Sequence, residues 1–401
     1  MTEIADFGLY VLLVAGGFIL AVGSTKLTER VPVPAPALFL LAAAIASDLW
    51  PRLYEAVPIL TVERLAVVAL VVILFNGGID IGLHRLRGAV GPIVALGVVG
   101  TFATAALVAV FVHYALGFAW IFAGLVAAAV APTDPAVMFS VLGRREIEGR
   151  SRVILEGEAG VNDPAGIALM IGMIELATHS DASLLVLARE LAVEMSIGVA
   201  LGVAGGVAFV PLLRRIRLPS AGLSPVLALS LAGALYGTTA LARGSGFLAV
   251  FIAGLFVGEA EGQFKHEVAR FHGSLAALAE LVVFVGLGLT VSIGSLSGGV
   301  WVDGAIIAGI VGLLVRPVVV MALLAPARLR LGERAFIAWS GLKGAVPILL
   351  AAFAVLADVT GAGRVYGLVF VVVLVSVVGQ GTLVPLAARA LRVPMREHAA
   401  A

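Results

Sequence analysis

Apolar runs of about 20 residues, separated by short loops, follow one another through almost the whole chain. No other feature constrains the fold as strongly. A backbone crossing hydrocarbon must satisfy its own N–H and C=O groups, so segments of this length and composition fold as helices. Thirteen such segments are read here, at 7–25, 33–49, 60–80, 88–113, 119–142, 151–177, 184–212, 222–241, 246–259, 274–293, 299–324, 334–357 and 365–391. Span 246–259 is short enough to form a hairpin with 222–241. The chain is 61% hydrophobic and 13% charged, whereas a soluble domain carries about 25% charged residues. The fold class is therefore an all-α polytopic membrane protein with no soluble domain. Glu3 and Asp6 stand where a leader peptide would carry Lys or Arg, so the first run reads as a retained helix.

Composition also removes several function classes. There is no cysteine, which excludes disulfides and thiolate chemistry, and the six histidines form no metal-ligand spacing. A net charge of +1 without a basic, aromatic-interleaved patch gives no nucleic-acid signal. No cofactor is implied.

Loop charge sets the orientation. With the N-terminus outside, the outer loops carry Arg52, Arg64, Arg189, Arg243 and Arg364. The inner loops carry every other basic residue except Arg316 and Lys343, which fall within spans. Cytoplasmic loops are enriched in Lys and Arg, so the chain reads as N-terminus outside and C-terminus cytoplasmic in a cell membrane. The charged stretch 259–272 reads either as an amphipathic connector at the cytoplasmic surface or as a solvated loop.

Within the spans, residues 156–166 stand out. Glu156, Glu158 and Asp163, with Asn162, lie inside an otherwise apolar segment. A charge at bilayer depth costs at least ~2.5–3.5 kcal/mol, so such residues face a pathway or a partner. Two other spans look interrupted. Span 119–142 contains Ala131-Pro132-Thr133-Asp134-Pro135, and span 334–357 contains Gly341-Leu342-Lys343-Gly344-Ala345-Val346-Pro347. Each proline removes a backbone donor and breaks the helical ladder. Thr133 or Asp134 can cap the helix restarting at Pro135, so Asp134 is open to a purely structural role as well as to ion handling. Irregular backbone at membrane depth is tolerated only in protein or beside a cavity, and paired interruptions point to a transporter site. The two interrupted spans lie seven apart, so equivalent units run in opposite directions. This predicts two inverted-topology repeats, at about 1–177 and 222–391, with crossed unwound helices. Asp134 could neutralise the positive half-helix ends, and Arg316 or Lys343 the negative ones. Arg316 either pairs with a carboxylate, Glu158 being the candidate, or snorkels to the cytoplasmic face. The glycine-rich run 198–206 predicts close helix packing, possible at a subunit interface.

Four of these motifs, in order, resemble the monovalent cation/proton antiporters: Thr133-Asp134-Pro135, the Glu156–Pro164 run with Asn162-Asp163, Arg316-Pro317, and Trp339–Pro347. Their nearest likeness is the sodium/proton branch carrying an Asn-Asp pair. The resemblance implies a thirteen-helix fold, with a core domain at about 88–177 and 299–391 and the remaining helices as a dimerisation scaffold. It implies a homodimer in a lipid bilayer that moves a monovalent cation and a proton in opposite directions by an elevator motion. By the same resemblance Asp163 is the shared carrier, Thr133 supplies oxygens to the cation, Asn162 holds the site, Asp134 supports the crossing, and Glu158 pairs with Arg316. Three positions depart from that branch. Ala159 stands where a serine is frequent, Asn76 where an acid is frequent, and Lys343 where an arginine is usual.

The residues themselves carry the chemistry further. Pro135 and Pro164 free the carbonyls of Ala131 and Gly160 for a hard cation. A desolvated Asp163 is stabilised by either a proton or a cation, so the two compete, and one carboxylate predicts electroneutral one-for-one exchange. Glu156 reads as lining an access route or as structural. Sodium or lithium is the expected cargo, with potassium/proton exchange as the alternative. A sodium-coupled symporter, a cation channel and an intramembrane aspartyl hydrolase are the weaker readings.

Overall fold

The computed structural model describes residues 33–50, 57–142, 145–179, 184–216 and 222–397, with isolated positions before residue 33. The expected span 7–25 and the basic residues Lys26, Arg30, Arg52, Arg144 and Arg217 lie outside the described residues. Helices occupy the other twelve expected segments. In chain order they are α1 (Ala35–Leu49), α2 (Ile59–Arg87), α3 (Val90–Leu116), α4 (Trp120–Val130), α5 (Pro135–Leu142), α6 (Arg150–Thr178), α7 (Leu184–Arg215) and α8 (Leu223–Leu241). They continue with α9 (Gly246–Glu259), α10 (Gln263–Leu289), α11 (Gly298–Leu323), α12 (Leu331–Trp339), α13 (Ala345–Leu356), α14 (Ala362–Gln380) and α15 (Val384–Ala390). Two short strands, β1 (Arg145–Ile147) and β2 (Met395–Glu397), pair antiparallel and tie the segment after α15 to the turn after α5. Among the described residues seven helices are long and apolar enough to cross a membrane. The polar and charged content of α6 keeps it outside that set despite its 29 residues.

Local sequence explains the breaks. Residues 131–134 are not helical, and α5 restarts at Pro135, whose missing N–H is no loss at a first helical position. The second interruption lies between Trp339 and Ala345. By contrast α6 runs through Pro164 without a break. Three π-helical turns, Ala95–Gly100 in α3, Val311–Val315 in α11 and Ser376–Gln380 in α14, widen helices that surround the interruptions.

One sequence expectation is corrected here. Of the stretch 259–272 only 260–262 is loop, and the remainder is not a separate connector. Helix α10 starts at Gln263 and continues unbroken into the span, and Glu259 instead accepts a hydrogen bond from the His84 N–H (2.9 Å), just past the Gly82 kink of α2. The close packing expected of the glycines at 198–206 is present, against a helix of the same chain. A Cβ on Gly198, Gly202 or Gly206 would meet Ser245, Ala249 or Phe256 of the α9 segment. Helix α9 is short and buried between neighbours, α8 packs against it across the four-residue turn 242–245 as the expected hairpin, and its N-terminus is capped by Ser245 Oγ, which accepts from the Leu248 N–H (3.4 Å).

Glycine also joins α9 to α2. A Cβ on Gly78 would lie 2.9 Å from Gly254 Cα and from the Leu255 nitrogen, so the two backbones touch. In lipid, where the hydrophobic effect does not hold helices together, such backbone approach supplies the packing energy. Replacing Gly254 by Val is expected to overpack this seam at a cost of about 1–3 kcal/mol. The check is the Tm of detergent-solubilised protein, lowered in Gly254→Val and unchanged in Gly233→Ala, where a Cβ meets nothing within 4 Å.

Candidate functional site

Each interruption places its charged residue on the other. Lys343, buried between α12 and α13, extends its ammonium to the carbonyls of Ala131 and Pro132, both at 3.0 Å. Those carbonyls lie at the C-terminal end of α4, where the helix ladder has stopped and a cation is favoured. In return Asp134 lies at the N-terminus of α13. Its backbone N–H donates to the Leu342 carbonyl (2.8 Å), and its carboxylate fills the space that a Cβ on Gly344 would need. The sequence's Gly-Leu-Lys-Gly run is thereby explained residue by residue. Gly344 makes room for the Asp134 carboxylate and Gly341 for the Arg316 guanidinium, while Lys343 reaches across. The π-turn of α14 secures the same loop. The Lys343 N–H donates to Ser376 Oγ (3.0 Å), and Gln380 Nε2 donates to the Trp339 carbonyl (2.5 Å).

Beside the crossing, Glu158 of α6 and Arg316 of α11 form a buried two-point ion pair, with Arg316 NH1 2.6 Å from Oε1 and NH2 donating to Oε2 at 2.8 Å. Arg316 is 2% exposed, so the snorkelling reading is overturned. Buried charges persist only when paired and hydrogen-bonded, and Thr133 extends the pairing by donating its hydroxyl to Glu158 Oε1 (3.3 Å). Asn162 donates to Thr133 Oγ1 (2.8 Å) and to the Thr133 carbonyl (3.3 Å). Thr133 and Asn162 thus bind each other and the ion pair. Neither lines the adjacent cavity, where the sequence reading placed Thr133 as a cation ligand.

That cavity, about 470 Å³, is bordered by α2, α6, α10, α13 and the start of α5. Asp163 lies on its wall, 7% exposed, with Oδ1 buried and unpartnered. Asp134 lines it too, as do Ala159 and Gly160, the latter being the residue whose carbonyl Pro164 frees. Glu156 lines the cavity and is held by Arg152, whose Nε donates to Oε1 at 2.7 Å. Asn76 lines it with its amide donating to Asp80 Oδ2 (2.9 Å). Asp163, Asp134, Glu156, Ala159 and Asn76 are therefore brought to one space, whereas Thr133, Asn162, Glu158, Arg316 and Lys343 form the bonded network behind it. Among the described residues no group of three or more His, Asp or Glu has metal-site geometry.

Two acids of the cavity were missed in the sequence. Asp80 follows Asn76 by one helical turn at the end of an apolar run. Glu280 sits in the middle of span 274–293, where the rule that intramembrane acids face a pathway would have found it.

The arrangement has known counterparts. The sequence profile of the transmembrane sodium/hydrogen exchangers matches residues 17–390. A K(+)/H(+) antiporter NhaP of Alkalimonas amylolytica is 32% identical over 96% of this chain and 67% of its own length. A K(+)/H(+) antiporter NhaP2 of Shewanella sp. (strain ANA-3) is 30% identical over 92% of this chain and 65% of its own length. The chain thus spans about two thirds of the length of these relatives. A probable Na(+)/H(+) antiporter of Methanocaldococcus jannaschii is 26% identical over 88% of this chain and 85% of its own length. In fold, the sodium proton antiporter MjNhaP1 of the same archaeon superposes with a TM-score of 0.80 at 21% identity, covering 98% of this chain and 99% of that one. Profile, relatives and fold agree: the chain is a multi-pass membrane protein that belongs to the transmembrane sodium/hydrogen exchanger family, within the monovalent cation/proton antiporters.

Proposed function

We propose that the protein exchanges a monovalent cation for a proton across the membrane, with Asp163 as their shared carrier. One observation carries this reading. Of the three acids that α6 places in or beside the cavity, Glu156 and Glu158 are paired with arginines, while Asp163 Oδ1 is buried and faces the cavity without a partner. An ionised Asp163 left in that state is costly, and either a proton or a cation relieves it. The two loaded forms are neutral and the empty form is not, so the carrier crosses loaded. One carboxylate then exchanges one proton for one cation, and transport is electroneutral.

The buried network supports a division of labour. Lys343, Asp134, Glu158 and Arg316 fasten α4, α5, α6, α11, α12 and α13 into one body, the core. The scaffold consists of the helices around α2, α9 and α10, which meet one another through close backbone packing. The cavity separates the two bodies, so sliding the core past the scaffold carries Asp163 from one face to the other. By the positive-inside rule, the cavity end marked by Ser140 and Arg152 is cytoplasmic, which makes this an inward-open state. On this reading Thr133 and Asn162 position the carrier and are not ligands in the inward-open state. The scaffold is the surface through which a homodimer would form.

Potassium is the favoured cargo over the sodium or lithium expected from sequence. Ala159 supplies no side-chain oxygen to the cavity wall, and Asn76 offers a neutral amide oxygen in place of a carboxylate, so the ion meets fewer strong ligands and keeps part of its water. Potassium dehydrates more easily and needs fewer strong ligands. The relatives near 30% identity also carry K(+)/H(+) names.

In everted vesicles, potassium, sodium or lithium added to a preformed pH gradient is expected to drive proton movement. Asp163→Asn is expected to abolish it, and collapsing the membrane potential to leave the wild-type rate unchanged. Full exchange in Asp163→Asn would overturn the mechanism, and dependence on the potential would overturn electroneutrality. Arg316→Ala, which strands Glu158 as a lone buried charge, is expected to cost about 3–5 kcal/mol and deplete folded protein. The joint change Glu158→Gln with Arg316→Met, neutral at both positions, is expected to recover much of that stability, read as Tm in detergent.

A further inference from the structure

Helix α10 presents Gly273, Ala276, Ala277, Glu280, Val283 and Phe284 to the cavity, a stripe at helical spacing that is apolar except for Glu280. Glu280 Oε1 is buried and has no hydrogen-bond partner, and its carboxylate forms no ion pair among the described residues. The charged groups on the other walls offer it none. Asp80 on α2 is engaged with Asn76, Arg152 on α6 is held by Glu156, and Asp134 and Asp163 are themselves acids. Asp134 lines the same cavity as Asp163 and Glu280. Two buried carboxyl oxygens without partners, Asp163 Oδ1 on one body and Glu280 Oε1 on the other, thus face one water-accessible space. A carboxylate in such a place exists for a proton or for a positively charged visitor.

We infer that Glu280 is the scaffold-side cation contact of the transport cavity, setting the affinity for the incoming monovalent cation at the open face without itself being carried. The inference rests on the antiport reading above and deepens it. Asp163 belongs to the body that moves and Glu280 to the body that stays, since α10 packs along α1 and α2. A cation entering this cavity is drawn by Glu280 and handed to Asp163. When the core slides, Asp163 leaves with its load and Glu280 remains behind, facing the same side of the membrane. Glu280 therefore adds to binding at one face and leaves the exchange ratio at one proton per cation. It also supplies an oxygen where Ala159 supplies none.

The test is cation-driven proton movement measured separately in inside-out and right-side-out vesicles, with potassium and sodium as probes. In Glu280→Gln, the apparent KM for the cation at the cavity face is expected to rise about tenfold, the size of a partly solvated charge–charge contact. The maximal rate and the KM at the opposite face are expected to stay as in the wild type. Glu280→Asp keeps the charge one methylene further back and is expected to give an intermediate KM, which carries the test should the Gln variant fail to fold. An unchanged KM in both variants, an equal rise at both faces, or a fall in maximal rate without a change in KM would overturn the inference. A wild-type protein that moves no protons in response to either cation would overturn the antiport reading itself, and the two failures are thereby distinct.

Discussion

The structure depends on how charge is neutralised where water is absent. Two helices stop in mid-bundle and leave backbone groups without partners, a situation that lipid does not permit. The chain resolves it by exchange: Lys343 from one interruption takes the carbonyls of Ala131 and Pro132 in the other, and Asp134 takes the N-terminal end of α13 in return. Glu158 and Arg316 add a second neutral unit beside them. Each charge thus closes a gap that another element opens. Asp163 lies beside this network as an acid the network does not satisfy. That contrast, between charges paired across the crossing and an acid left open beside it, is what supports the proposed role of Asp163.

Much of this could be read from the chain, and the reasons are physical. Membrane helices announce themselves by length and hydropathy, so the described helices coincide with the expected segments. The interruptions were visible because proline and paired glycines have few uses inside a transmembrane helix. The Glu158–Arg316 pair was legible because an arginine that deep needs a carboxylate. What the sequence concealed was direction. Thr133 carries the oxygens a cation would want, yet they are turned to Asn162 and Glu158. Side-chain orientation within an unwound segment has no periodicity to betray it. Glu280 was overlooked for a different reason: a single acid in a long apolar run lacks the motif that drew attention to residues 156–166. The extent of α10 was misjudged because its first turns are charged, and hydropathy marks where lipid begins rather than where a helix does.

Packing distributes rigidity in keeping with the proposed motion. Polar interactions concentrate around the crossing, among the helices that the proposed motion would move together. Glycine seams dominate around α9, where Gly78 and Gly254 bring α2 and α9 into backbone contact and Gly202 accommodates Ala249. The π-turns of α3, α11 and α14 lie next to the crossing, each wide enough to admit a neighbour that a regular helix would exclude.

The central claim is that one carboxylate serves proton and cation alternately. Its most direct test is the number of protons released when a monovalent cation binds to purified protein in weakly buffered detergent solution. The account predicts one proton released for each cation bound, with both binding and release lost in Asp163→Asn. Cation binding without proton release, or release that persists in Asp163→Asn, would contradict it.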